Sequence, residues 1–263
     1  MVGPDPAVAL SRHPEASGQE AVDPIAAAVA AVDALDAGSP ADVGVAVLDR
    51  ATGREVQGAN GSAPFYAASI TKLYTAVAIL DRADRGELEL DGSDLENIDR
   101  ALRGSDDQAM NALWSGAGGP ATVTETIGAV GLLDSAPPDD PSQWGETIVS
   151  ARDVVTVYEY VLTVMSPAAR DLVMDALGGA ARTADDGFDQ SFGLLADPRP
   201  GDVAAKQGWM WYGSRLYLHT TGTVGPGARY VVAVLARNPA SSGAAAAREL
   251  ATAAAAAVRA SAG

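Results

Sequence analysis

The chain contains no cysteine. That excludes a disulfide framework, a thiol nucleophile, a zinc–thiolate site and lipid attachment through a cysteine within these 263 residues. Histidine is nearly absent too. His13 and His219 stand far apart, so a histidine-based metal site is not expected, and no cofactor is implied. No run of 18 apolar residues occurs, so no transmembrane helix is expected. Positive charge is scarce: 18 Lys and Arg stand against 34 Asp and Glu, a net charge of −16. Such a surface repels nucleic acid and anionic lipid, which removes both as partners. The N-terminus lacks a basic segment followed by an apolar one, because Val8-Ala9-Leu10 is too short for the latter. Residues 1–22, with Gly3, Pro4, Pro6, Pro14 and Gly18, read as a flexible leader of the kind that tethers a domain to an anchor.

What is present is ordinary for a globular protein: 48% hydrophobic and 20% charged residues, enough chain for one large domain or two interleaved ones. The exception is lysine. There are two, against sixteen arginines, and they fall in Ser69-Ile70-Thr71-Lys72 and Lys206-Gln207-Gly208-Trp209. A desolvated ammonium can lose its proton and act as a base, whereas a guanidinium effectively cannot. Lysine kept only at two such places points to chemistry that arginine cannot supply.

The element order follows from capping and periodicity. Asp23-Pro24 opens a helix with the stripe Ile25, Val29, Val32 and Leu35. Val43–Leu48 is a strand, Asp49–Gly53 a turn, and Glu55–Gly58 begins the return strand. Helices are expected over Ser69 to about Leu80, Ser105 to Trp114 and Thr122 to Val130. Residues 131–149 form a long polar loop, the kind that is usually functional. Ser150-Ala151-Arg152-Asp153 reads as a capping box opening a helix, and Ser166-Pro167 opens another. Strands follow at Asp202–Gly208, Arg215–Val224 and Arg229–Arg237, then an alanine-rich helix from about Ser242. Five antiparallel strands flanked by the terminal helices make an α/β (α+β) domain of residues 23–68 and 195–263. An inserted helical domain spans 69–194, with a pocket expected where the two meet.

Three motifs carry candidate chemistry. Ser69 at a helix N-terminus has Lys72 one turn later on the same face, with small Ala67-Ala68 before it. A Lys72 shut from water near another lysine can accept the serine proton. The plain alternative is a serine cap followed by a surface lysine. In Ser105-Asp106-Asp107-Gln108-Ala109-Met110-Asn111 a second hydroxyl can relay a proton and Asp107 can hold Lys72; alternatively Ser105 simply caps a helix whose first turn is acidic. On the strand at Lys206, that ammonium can bind a substrate carboxylate or tune the other bases. Gly208 leaves room for substrate, and the Trp209 N–H can pair with that of Ser69 as an oxyanion hole. Arg215 is a second candidate for a carboxylate, or a plain surface arginine. His219 on the same strand invites a Ser–His reading, although a strand histidine is more often structural.

In this order the motifs resemble those of the serine β-lactamase and penicillin-binding-protein family, nearest its class A branch. The resemblance runs from about Asp23 to the end of the chain. It implies the β-lactamase/transpeptidase-like fold, export to the cell envelope, a monomer, and acyl-serine chemistry on β-lactams or D-alanyl peptides. By position it makes Ser69 the nucleophile, Lys72 its base, Ser105 a proton shuttle and Lys206 an electrostatic anchor, with Asp107, Gln207, Gly208, Trp209 and Arg215 around the substrate. The departures are equally specific. Asp107 stands where the family has asparagine, which can donate to a substrate amide oxygen as ionised aspartate cannot. Gln207 replaces Thr or Ser, and Trp209 is bulkier than the usual residue. The 131–149 loop lacks Glu-x-x-Leu-Asn, and its one glutamate, Glu146, has different neighbours. These departures leave two readings: an enzyme with weak β-lactam hydrolysis, or a weakened relative that binds cell-wall fragments or a protein.

Overall fold

The structure, a computed structural model, describes residues 23–199 and 201–262. The leader read into residues 1–22 lies outside them. Asp23 caps α1 (Pro24–Ala37) by accepting the Ile25 N–H, with proline at the first helical position, where its missing N–H costs nothing. The chain then makes β1 (Asp42–Asp49) and β2 (Arg54–Gln57) around the 49–53 turn, and a two-residue strand β3 (Phe65–Tyr66). A 3₁₀ turn over Ala68–Ile70 leads into α2 (Thr71–Asp84). The helical block continues with α3 (Gly92–Arg103), α4 (Asp107–Gly116) and α5 (Pro120–Val130), then β4 (Ile148–Val149), α6 (Ala151–Thr163) and α7 (Pro167–Gly178). The chain returns through β5 (Ala204–Tyr212), β6 (Arg215–Val224) and β7 (Tyr230–Pro239) to α8 (Gly243–Ala262).

The five long strands form one antiparallel sheet in the order β2-β1-β7-β6-β5. Both of its faces are covered. Along β7, Val231, Ala233 and Leu235 face the helical block, while Val232, Val234 and Ala236 face α1 and α8. A central strand buried on both sides needs no polar alternation, which is why 230–236 reads as one apolar run. Each fully buried valine there contributes roughly 1.5–3 kcal/mol. Alanines at 247, 251, 254 and 255 let α8 lie close against sheet and α1.

Several local details differ from the sequence reading. The helix expected from Ser69 begins as the 3₁₀ turn. The helix expected from Ser105 starts at Asp107, because the Asp106 carboxylate accepts the Gln108 and Ala109 N–H groups and takes the cap. Ser150 does cap α6, but the Asp153 carboxylate turns to the N–H groups of Leu133 and Asp134, so the box is half made. The polar loop carries a 3₁₀ turn at Trp144–Glu146 and β4, which pairs with β3. Helix α3, with a complete box between Asp91 and Asp94, has no counterpart in the sequence reading.

Candidate active site

The site is built around the turn that holds Ser69. Ala68 sits at φ +49°, the left-handed region that a non-glycine residue enters only when its surroundings hold it there. Four anchors do so. The Ala67 N–H donates to Thr147 O at 2.7 Å, and Thr71 Oγ1 donates to Trp144 O at 2.8 Å. The His219 ring accepts the Ala236 N–H at Nδ1 (3.2 Å), which leaves Nε2 to donate to Tyr66 O at 2.8 Å. Burial lowers the His219 imidazole to about 4, keeping it neutral. His219 thus serves the turn from beneath and is no general base for Ser69. The fourth anchor is Gly208. A Cβ there would lie 3.1 Å from Ala67 O, 3.2 Å from Ile70 Cγ1 and 3.3 Å from the His219 ring. The space read as room for substrate is occupied by the protein itself: Gly208 lets the serine turn dock on the free edge of β5.

From this turn a chain of polar atoms runs inward. Lys72 Nζ donates to Ser69 Oγ at 2.9 Å, to Ser105 O at 2.7 Å and to Asp107 Oδ1 at 2.6 Å, and it lies 3.3 Å from Ser105 Oγ. Lys206 Nζ reaches Ser105 Oγ from the other side at 2.8 Å and donates to Gln207 O at 2.9 Å. Because Asp106 caps α4, the Ser105 hydroxyl is free for this bridge; its backbone takes φ +53°. Both lysine side chains are fully buried. Burial lowers the Lys72 ammonium below the ordinary lysine value, and the Asp107 carboxylate works against that shift. Burial, together with the positive charge of Lys72, holds Lys206 well below its ordinary value. Ser69, Lys72, Ser105 and Lys206 therefore form one connected path for a proton.

The path opens into a cavity of about 250 Å³ whose wall includes Ser69, Asp107, Gln143, Trp144, Trp209 and Met210. Trp209 lines it as expected; its indole stacks on Phe188 at 4.5 Å and donates to Asp186 at 2.9 Å. Two expected substrate residues are elsewhere. Gln207 is fully buried and its amide donates to the carbonyls of Phe192 (2.6 Å) and Gln190 (3.2 Å), since neighbours on a strand point to opposite faces. Arg215 pairs with Tyr212 at the β5–β6 hairpin; six residues along the strand from Lys206 place it about 20 Å away. Other residues at the site have no site role in the sequence reading, although Asn111 stands in its second motif. The Trp144 ring covers Lys72 Nζ at 4.7 Å, and its indole N–H donates to Asn111 Oδ1 at 2.9 Å. Asn111 lies one helical turn beyond Asp107, a spacing that could have flagged it. A rare aromatic in a polar loop could have flagged Trp144. Asp186 sits in a surface turn and carries no sequence signal.

A model of the β-lactamase enzyme family matches residues 25–97 and 93–260. The chain belongs to that family. The chain is 38% identical over 205 residues to the "Putative lipoprotein LppW" of Mycobacterium tuberculosis, and equally to that of Mycobacterium bovis. The match covers 76% of this chain and spans only 64% of the length of those relatives. A class A β-lactamase from Bacteroides cellulosilyticus superposes with a TM-score of 0.76 at 17% identity, covering 90% of this chain and 98% of its own. A β-lactamase from Xanthomonas campestris gives 0.74 at 20% identity, covering 92% and 100%. At these identities the two structures establish the shared α+β fold.

Proposed function

We propose that this β-lactamase family member is a serine acyl-transfer hydrolase that works through an acyl-enzyme at Ser69. The observation that carries the reading is the buried Lys72 Nζ lying 2.9 Å from Ser69 Oγ at the floor of an open cavity. In this scheme Ser69 Oγ attacks the substrate carbonyl carbon while its proton passes to neutral Lys72. From Lys72 the proton goes by way of Ser105 Oγ to the leaving group, and Lys206 holds that hydroxyl in place. The main-chain N–H groups of Ser69 and of Trp209, on the free edge of β5, stabilise the oxyanion. The substrate class is a β-lactam or a D-alanyl peptide of cell-wall type, and β-lactam hydrolysis is weak. Export to the cell envelope is the matching location, consistent with relatives named as lipoproteins. Intact-protein mass measurement after incubation with a β-lactam panel tests the reading. A one-equivalent adduct that disappears in Ser69→Ala supports it, and equal labelling of that variant rejects it.

A second reading has its own observation. The Asp107 carboxylate holds Lys72 at 2.6 Å, which favours the ammonium and opposes proton uptake from Ser69. A family member so restrained would serve as a binding module for cell-wall fragments or a protein. It predicts ligand binding that survives Ser69→Ala and no covalent adduct in the wild type.

A further inference from the structure

We infer that the cleft takes an acyl donor bearing a positive charge near its reacting carbonyl, received by the Asp107 carboxylate, and disfavours a donor with a carboxylate there. This rests on the acyl-serine reading of Ser69 and narrows its substrate class: the carboxylate that β-lactams and D-alanyl peptides carry on the leaving-group side meets no free cation in the cavity wall among the described residues, which makes them weak donors here. Asp107 is the one charged side chain in the cavity wall among the described residues. Its side chain is 57% exposed, so the carboxylate faces the cavity while one oxygen holds Lys72.

A carboxylate-bearing donor finds no free cation among the described residues of the site. Lys72 is saturated by Ser69, Ser105 and Asp107. Lys206 is wholly buried behind Ser105 and the Gln207 carbonyl. Gln207 turns its amide away from the cavity, and Arg215 stands at the far end of the hairpin. A second acid adds to the field: Asp186 bonds the Trp209 indole, and it raises the proton affinity of both lysines as Asp107 does. The remaining wall offers the indoles of Trp144 and Trp209 beside that carboxylate. Aromatic rings with a carboxylate attract an organic ammonium by the ring quadrupole and by charge, and repel an anion.

The test uses three 4-nitrophenyl esters whose acyl chains match except for a terminal trimethylammonium, tert-butyl or carboxylate group. In each, Ser69 Oγ forms a bond to the carbonyl carbon, the bond to nitrophenolate breaks, and the serine proton leaves with the nitrophenol. The rate of the Ser69 mass adduct is measured for wild type, Asp107→Asn and Ser69→Ala. The trimethylammonium ester is expected to react about tenfold or more faster than the carboxylate ester, with the neutral ester between. The ratio should narrow as ionic strength rises from about 0.02 to about 0.5 M. In Asp107→Asn the two charged esters should react within about twofold of each other. Equal or faster reaction of the carboxylate ester in wild type overturns the inference, as does a cation preference unchanged in Asp107→Asn. Adducts in that pattern would leave the acyl-serine reading standing. Absence of a Ser69 adduct from all three esters, on a chain whose circular dichroism shows it folded, rejects that reading and this inference with it.

Discussion

Asp107 is the residue on which the strength of the site turns. It lies 2.6 Å from Lys72 Nζ and stabilises the ammonium, whereas the proposed attack by Ser69 needs the free amine. Replacing the charge with an amide of the same shape keeps a partner for Lys72 and weakens its hold on the proton. Asp107→Asn should therefore raise the acylation rate by neutral esters on the order of tenfold. The sign of the pH effect follows. Acylation rises with pH as Lys72 loses its proton, and without Asp107 that rise should move to lower pH. A variant whose rate and pH profile both match wild type would show that Asp107 does not govern Lys72. Lys72→Ala should slow acylation by about 10²-fold or more, the usual scale for a positioned base. Ester turnover that survives it unchanged would assign Ser69 a different base. His219 offers no substitute: it is neutral, buried and bonded to Tyr66 O and Ala236 N.

At the scale of elements, the 131–149 segment bears on the fate of the proposed acyl-enzyme. It supplies Ser142, Gln143, Trp144 and Gly145 to the cavity wall, but no carboxylate. Its acids are placed elsewhere. Asp134 bonds Arg152 and Ser150, Asp140 accepts from Ser142, and Asp139 is exposed. Glu146 is outside the wall, and the Trp144 ring covers Lys72. A water attacking the ester of Ser69 would thus find no base on this segment. Stopped-flow kinetics with a chromogenic cephalosporin should show a burst of about one equivalent and then slow turnover. Rapid steady hydrolysis without a burst, lost in Glu146→Gln, would make Glu146 the base instead. Much of this element pattern is legible in the sequence because its signals are local. Asp23-Pro24, Ser150 and Ser166-Pro167 cap the helices that follow them. Short motifs likewise single out Ser69, Lys72, Ser105 and Lys206 before any contact between them is known. What is missed depends on distant partners. Asp106 outcompetes Ser105 for the cap and frees its hydroxyl for a strand about a hundred residues away. Asp153 abandons the box for the backbone at Leu133 and Asp134. Helix α3 is the exception: its Asp91–Asp94 box and its Leu95, Ile98 and Leu102 stripe are local signals, absent from the sequence reading. The orientation of Gln207 was available from strand alternation with Lys206, since a period of two sends neighbours to opposite faces.

At the scale of the whole molecule, a sheet buried on both faces carries one titratable imidazole at its centre. His219 on β6 receives the Ala236 N–H from β7 and donates to Tyr66 O on β3, so it ties the sheet to the segment that presents Ser69. It is wholly buried, and protonation would place a charge where the ring must remain an acceptor toward Ala236. Its folded-state value of about 4 lies below the ordinary 6.5. A base with a depressed value binds fewer protons folded than unfolded, so the stability it protects is complete above about 6.5 and is lost as pH falls toward 4. The loss amounts to about 3 kcal/mol by linkage. The net charge works in the other direction. At −16 the folded chain repels itself, and protonating surface carboxylates on mild acidification relieves that. The difference between wild type and His219→Gln isolates the imidazole from this background. The substituted amide does not titrate, and at about pH 7.5 the variant should be less stable than wild type by about 1–3 kcal/mol through imperfect hydrogen bonds. Between about pH 6.5 and pH 4.5 wild type should lose more stability than the variant, so their urea midpoints converge on acidification. Parallel curves over that range would mean that His219 is charged in the folded protein and that the tie to Tyr66 is made in another protonation state.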